Sequence, residues 1–446
     1  MSNSSEIQVE NLAYIDIQHD ALAVFDDVEQ NVVLSEDIWI SGYQIGETSI
    51  HGKAKVRVQE GGGSELIARE GVQVERISKT NFNVSIPKLS IRNCSVKFPK
   101  QVINPPYTKK TNLDAPLHIN SLSLNPKKPH IVIGGPDGYC KILPISLNSK
   151  EKEVELKGHV GDVRDVKWFP SGEVILTASS DLSIRVYGKD GINPRTLRGH
   201  TRAITSIYII GIGKTILSSS KDGTIRLWDI SKSEEIQRWL IGTTSRRSIE
   251  SMIIIENPSC VTALGLDAST EERVMILNVQ EGIWIQPFST TEKDKGWFIK
   301  TDESINSQLI SISNKNDLLV CGYQNGLIEI IDLVRLRRPS QEEADSNSSI
   351  TEQKGIGKIK RIRRNESPIY SLHLIQQSEF DYNLYIGTAS GLPCCLGIKP
   401  NQDQNTFDVQ VEEELAGWEA VGIETWDIGS DGSVWCAGGE GGVRRY

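Results

Sequence analysis

The most regular pattern of apolar and polar positions in the chain runs from Gly199 to Asp229, GHTRAITSIYIIGIGKTILSSSKDGTIRLWD. Three short runs rich in β-branched residues are separated by a Gly-Ile-Gly-Lys loop and a tight Lys-Asp-Gly turn. Period-two alternation bounded by turn residues predicts strand, turn, strand, turn, strand. A three-stranded piece of this size leaves its faces uncovered, so it is expected to be one unit of an array.

The preceding stretch, 158–187, repeats the pattern as GHVGDVRDVKWFPSGEVILTASSDLSIRVY. His159 and His200 are 41 residues apart, as are Asp181 and Asp222, and Tyr187 and Trp228. A period of roughly 40–45 residues that opens on Gly-His and closes on Trp-Asp resembles a WD40 propeller blade. In such a blade Asp222 is expected to hold the His200 imidazole, His200 to reach Ser218, and Ser218 to meet the Trp228 indole N–H. The neighbouring blade offers His159, Thr177 and Asp181, with Tyr187 in place of Trp. These histidines read as structural, not catalytic.

From about residue 115 the array continues. Seven positions carry an acidic or polar residue followed, in most cases, by Gly: Asp137-Gly138, Asp181-Leu182, Asp222-Gly223, Glu281-Gly282, Asn325-Gly326, Ser390-Gly391 and Glu440-Gly441. Each precedes a short alternating strand, which predicts seven blades. Residues 1–110 do not follow the repeat and predict a small β-rich N-terminal domain, with strands at 11–17, 21–25, 32–34, 54–58 and 72–77. A proline-stiffened linker through Asn104-Pro105-Pro106-Tyr107 follows. The fold expected is all-β: a seven-bladed propeller over 111–446 behind that domain. Because Tyr446 falls on the third strand of the seventh blade, the missing outer strand is expected from the N-terminal side, within 89–98.

Composition sharpens this picture. The chain is 38% hydrophobic and 24% charged, with 38 glycines for turns and a net charge of −9. That charge argues against nucleic acid as the main ligand and fits a basic protein partner. No apolar run approaches the roughly 18 residues of a membrane span, and the polar, acidic N-terminus reads as neither signal nor transit peptide. The seven cysteines lack a CxxC motif and read as buried free thiols in a reducing compartment, cytoplasm and nucleus, with Cys394 and Cys395 on opposite faces of a strand.

The candidate chemistries fail individually. Gly211-Ile212-Gly213-Lys214-Thr215 looks like the tail of a phosphate-binding loop, but Tyr208 stands where that loop needs Gly, and a strand follows instead of a helix. Neither a Gly-x-Ser-x-Gly elbow nor His-Glu-x-x-His occurs. The run Glu412-Glu413-Glu414 reads as a solvated loop, and Trp39, Trp239, Trp297 and Trp426 as packing residues, with Trp418, beside Glu419 at the start of the last blade, expected to face outward. No catalytic, cofactor-binding or metal-binding residue is expected. The polar segment 339–354 reads as a disordered surface loop. The basic run 358–364 after it reads either as a nuclear-localisation or nucleic-acid element or as an outer blade strand whose edge is guarded by charge.

The stretches GHVGDVRDVKWFPSGEVILTASSDLSIRVY, SSSKDGTIRLWD and the terminal GGEGGVRRY, together with the non-repeat N-terminal domain, are similar to the proteasomal ATPase-associated factor family. The resemblance implies a monomeric WD40-type assembly chaperone of the proteasome regulatory particle, acting on its assembly intermediates. It would bind the C-terminal domain of one AAA ATPase, the sixth of the particle, and escort it into the base. Propellers meet partners with the loops leading into each blade and the turns between its middle strands. Here those positions hold Asp162, Glu281, Trp418, Glu419 and Glu440, expected as an acidic rim for a basic ATPase face. The alternative is a scaffold of another complex, such as a ribosome-maturation assembly, in which the 358–364 run touches RNA.

Overall fold

The computed structural model describes residues 7–59, 63–105, 117–146, 151–242, 246–289, 296–338, 358–379, 381–439 and 441–446. Alternating segments become antiparallel sheets arranged as a propeller, with innermost strands Ser121–Leu124, Val163–Trp168, Ile204–Ile210, Ser251–Ile255, Leu309–Lys315, Ile369–Gln376 and Ile423–Ile428. Six of the seven sequence-marked turns join the second and third strands of a blade, and Glu440 of the seventh lies outside the described residues.

Burial along a blade follows from its place in the ring. Third strands are covered by neighbouring blades on both faces: Thr224–Asp229 and Gly282–Pro287 are buried throughout. Innermost strands face the central channel and carry charge at intervals, as in Val163–Trp168 with Arg164, Asp165 and Lys167. Outer strands have one wet face, so Glu234–Leu240 alternates, burying Gln237 and Trp239.

A second pattern runs around the channel. A polar side chain of each blade bonds the next blade, from the innermost strand in six blades and from Asn278 at the end of the second strand in the fourth. Ser121 Oγ accepts from Val166 N at 3.1 Å, Asp165 from Ile207 N at 2.9 Å, and Ser206 Oγ from Met252 N at 3.2 Å. Asn278 donates to the Ile310 carbonyl at 2.9 Å, Ser311 Oγ to the Ile369 carbonyl at 2.8 Å, and Ser371 Oγ to the Ile423 carbonyl at 2.7 Å. Thr425 Oγ1 and the Asp427 carboxylate accept from Leu122 N and Leu124 N at 3.2 and 2.7 Å. The ring is therefore closed by polar bonds as well as by packing.

The N-terminal segment is tied into the ring at three blades. Val9–Asn11 lies parallel to Ile359–Arg363, the outer strand of the fifth blade. Ile91–Lys97 lies parallel to the outer strand Thr406–Leu415 of the sixth and continues into Asn81–Ile86 and Gln73–Arg76. Gln101–Ile103 pairs antiparallel with Val443–Arg445 and supplies the outer strand of the seventh. The expectation that 89–98 closes the ring is thus corrected. That stretch is a good strand, but its inward side chains Cys94 and Val96 pack into the N-terminal core, and the seventh blade is reached further on, at Gln101–Ile103.

A second sheet, Tyr14–Ile17, Ser35–Tyr43, Ile50–Val58 and Ser64–Arg69, shares that core. Residues 21–25, expected as a strand, begin the helix Ala21–Glu29. Ala21, Val24, Phe25 and Val28 are its buried positions, a 3.6-residue spacing that overrides the short apolar run. Residues 32–34 lie outside any strand, with Val32 and Leu34 exposed.

Candidate functional site

Each blade brings its incoming loop and middle turn to one rim. Ser180 N donates to the Asp162 carbonyl at 2.9 Å, Lys221 N to Ala203 at 3.0 Å, Gln324 N to Gln308 at 3.0 Å and Ala389 N to Pro368 at 2.9 Å. Beneath the rim of the third blade, the His200 imidazole lies between Asp222 (Nδ1 to Oδ2, 2.9 Å) and Ser218 (Nε2 to Oγ, 2.8 Å), while Trp228 Nε1 donates to Ser218 Oγ at 2.8 Å. Trp228 has only a donor to give, so the Ser218 hydroxyl donates to Nε2, and the neutral imidazole donates from Nδ1 to Asp222. Burial lowers the His200 pKa, which keeps the ring neutral. Burial opposes ionisation of Asp222, yet hydrogen bonds from His200, Thr224 and the Thr201 N–H hold its carboxyl well below the usual range.

The second blade repeats the arrangement with His159, which meets Asp181 at 2.9 Å and Thr177 at 2.7 Å. Tyr187 occupies the Trp position but leaves the relay, its hydroxyl donating to the Lys157 carbonyl at 2.9 Å. Two members escaped the sequence reading: the Ser183 and Thr224 hydroxyls each donate to the turn carboxylate at 2.6 Å. Their signal was present as a hydroxyl residue two positions after each Asp.

The rim residues do not form a uniform acidic surface. Glu281 is 74% exposed and pairs with Arg247 at 2.8 Å. The Glu419 side chain is 75% exposed, with His19 at 3.9 Å. Asp162 is half-buried, accepts from Asp137 N at 3.4 Å and faces Arg164 at 3.4 Å. Glu440 lies outside the described residues. Trp418 is a correction: expected on the rim, it is only 5% exposed. Its Nε1 donates to Tyr446 Oη at 2.9 Å and the Arg444 guanidinium stacks on its ring at 3.6 Å, because the indole fills the junction between the sixth and seventh blades, packed with Tyr385, Leu415, Trp426 and Tyr446. Among neighbouring groups, the hydrogen bond to Glu424 at 3.0 Å raises the His118 pKa.

The basic run is absorbed by the fold. Lys360 pairs with Glu10 at 2.5 Å, and Arg361 with Glu329 at 2.9 Å and Asp302 at 2.8 Å. Arg364 meets Glu414, which is buried and not part of a solvated loop. The strand edge is covered by Val9–Asn11 and not merely guarded by charge. Gly211–Lys214 is a hairpin loop: Gly213 sits at φ +96° against the Phe169 ring. All seven cysteines are free and buried, with Cys394 and Cys395 in different core clusters. Among the described residues no group of three His, Cys, Asp or Glu side chains could hold a metal ion, and no helix is long and apolar enough to cross a membrane.

Comparison with known proteins agrees with this architecture. The WD domain, G-beta repeat family matches residues 150–188 and 191–229. The 26S proteasome regulatory subunit RPN14 of Saccharomyces cerevisiae is 37% identical over 84 residues, 19% of this chain and 20% of that protein. Nuclear distribution protein nudF 1 of Talaromyces marneffei is 36% identical over 117 residues, 25% of each. The chain thus spans a quarter or less of the length of these two relatives. The solved structure of U3-55K superposes with a TM-score of 0.52 at 13% identity, covering 76% of this chain and 93% of that one, a likeness of fold. The chain is a WD40 repeat protein with a β-propeller fold.

Proposed function

We propose that this WD40 repeat protein is a non-enzymatic assembly chaperone that captures the C-terminal domain of a proteasomal AAA ATPase on its propeller rim and assists assembly of the regulatory-particle base. The observation that carries the reading is the pair of carboxylates at Glu281 and Glu419, each about three-quarters exposed on the side where incoming loops and middle turns meet. A basic partner face would compete with Arg247 for Glu281. The local likeness to RPN14 over 84 residues supports the choice of partner. Rim charges of this kind raise the association rate and are screened by salt.

The test is binding of the purified ATPase C-terminal domain to the full chain, measured at rising salt. Glu281→Lys with Glu419→Lys is expected to slow association several-fold while leaving melting unchanged. Undiminished, salt-insensitive capture by that variant would move the interface elsewhere on the propeller. The alternative scaffold reading, with the 358–364 run on RNA, loses support because Arg361 and Arg364 are buried in ion pairs.

A further inference from the structure

The outward face of the N-terminal sheet carries a pattern that neither the ring nor the rim uses. Along Ile50–Val58 the residues Gly52, Ala54 and Val56 are buried, while His51, Lys53, Lys55 and Arg57 fall on the opposite face. The strand register sets Lys53 between Trp39 and Arg69, and Lys55 between Asp37 and Ile67. Trp39 is 45% exposed, whereas the other eight tryptophans are buried. Toward the propeller the same face ends in Tyr14 and Tyr43, stacked with ring centroids 5.3 Å apart and with the Arg364 guanidinium over Tyr14. His51 stands edge-on to Tyr43 at 5.7 Å, so the free part of the face is the part around Trp39. The carboxylates there are Asp16, Asp37 and Glu65, of which Glu65 is held by Arg57 at 2.7 Å.

Both strands that carry Trp39 and Lys53 are hydrogen-bonded on two sides, so this face offers a ligand side chains and not backbone. Exposing an indole in the middle of a sheet costs hydrophobic burial that the other tryptophans obtain. Around Trp39 the four basic side chains Lys53, Lys55, Arg57 and Arg69 outnumber the three carboxylates by one, a small local excess of positive charge on a chain at −9. We propose that this face binds single-stranded nucleic acid, with a base stacked on Trp39 and the sugar-phosphate backbone following Lys53, Lys55 and Arg69. Lys53 and Lys55 are alternate residues of one strand, about 6.6 Å apart, a step that an extended single strand can match with successive phosphates, and Arg69 stands beside Lys53 on the neighbouring strand. A duplex offers its bases only in grooves, which a sheet face with one projecting indole does not enter. An acidic peptide would satisfy the lysines but leave the indole face without a planar partner, whereas every base has one. The net charge of −9 confines the attraction to this patch and makes it weak and salt-sensitive.

The test is fluorescence anisotropy of the full chain with labelled oligouridylate and oligothymidylate of about twelve nucleotides, within the usual footprint of such platforms. Binding at low salt is expected, and the two probes separate RNA from DNA preference. Trp39→Ala is expected to weaken it about tenfold without changing the melting temperature, and Trp39→Phe to retain most of it. Lys53→Gln is expected to reduce the slope of log affinity against log salt by about 0.7. If Trp39→Ala also unfolds the sheet, the Trp39→Phe and Lys53→Gln results decide. Absence of binding at low salt, or undiminished binding by Trp39→Ala, would overturn the proposal. So would displacement by polyglutamate as effective as by unlabelled oligonucleotide, which would make the face an acidic-protein site.

Discussion

Arg364 Nη2 donates to both carboxylate oxygens of Glu414, at 2.7 and 2.5 Å, and both side chains are buried. Glu414 Oε1 also accepts from Ile15 N at 3.1 Å, and the Arg364 guanidinium lies 5.3 Å from the Tyr14 ring. One ion pair therefore joins the end of the fifth blade, the outer strand of the sixth and the N-terminal sheet. Burial works against both charges and raises the Glu414 pKa, so the pair is stable only while both partners are present.

Removing one partner should expose that dependence. Glu414→Leu or Arg364→Met alone is expected to cost about 3–5 kcal/mol, because a buried charge is left uncompensated. The double variant should lose clearly less than the sum. Urea unfolding of the three variants measures the coupling, and additive losses would show that the pair does not act as a unit.

Within the third blade, His200→Ala leaves Ser218 and Asp222 without their buried partner. A loss of roughly 1–3 kcal/mol is expected, with binding reduced only as far as folded protein is reduced. A purified His200→Ala protein that melts like the original would rule out a stabilising relay.

The same relay sets a pH dependence. Burial, with a smaller contribution from Arg226, lowers the His200 pKa against the pull of Asp222 and Glu235. The unfolded chain therefore binds that proton first, near pH 6.5, and stability falls as pH drops below it. Asp181 and Asp222 act in the same direction at lower pH, since their folded pKa values are depressed. Their stabilisation is present above about pH 4 and is lost on further acidification. Melting between pH 7.5 and 5 should show a decline that is shallower in His200→Gln; an equal slope would remove His200 as its source.

Truncation distinguishes ring closure from docking of the N-terminal sheet. A chain beginning at residue 99 keeps Gln101–Ile103 for the seventh blade but bares the outer edges of the fifth and sixth. A chain beginning at residue 117 also opens the ring. The first is expected to unfold cooperatively at a lower temperature, and the second to aggregate through the bare edge of Val443–Arg445. Equal solubility and melting of the two would show that the borrowed strand is dispensable.

Much of this protein could be read from the order of its residues. The 41-residue spacing of His159 and His200, with the Asp-containing turns, determined the relay geometry, because its partners lie within one blade and local turns set their separation. Hydrophobic alternation and seven polar turns determined the propeller. An apolar-x-small-polar repeat at Ile204-Thr205-Ser206, Leu309-Ile310-Ser311 and Ile369-Tyr370-Ser371 accompanies the interblade bonds, but it acquires meaning only once the structure shows which strand is innermost. Only the tertiary structure decided that Gln101–Ile103 closes the ring, that Trp418 is buried under Arg444 while Trp39 stays open to solvent, and that the basic run 358–364 is consumed by Glu10, Glu329 and Glu414. The physical reason is common to all three. Exposure and ion pairing depend on which surfaces meet, and here the meeting surfaces lie on different strands, some tens of residues apart, as Trp418 and Arg444, and some hundreds, as Lys360 and Glu10, beyond the reach of any local periodicity.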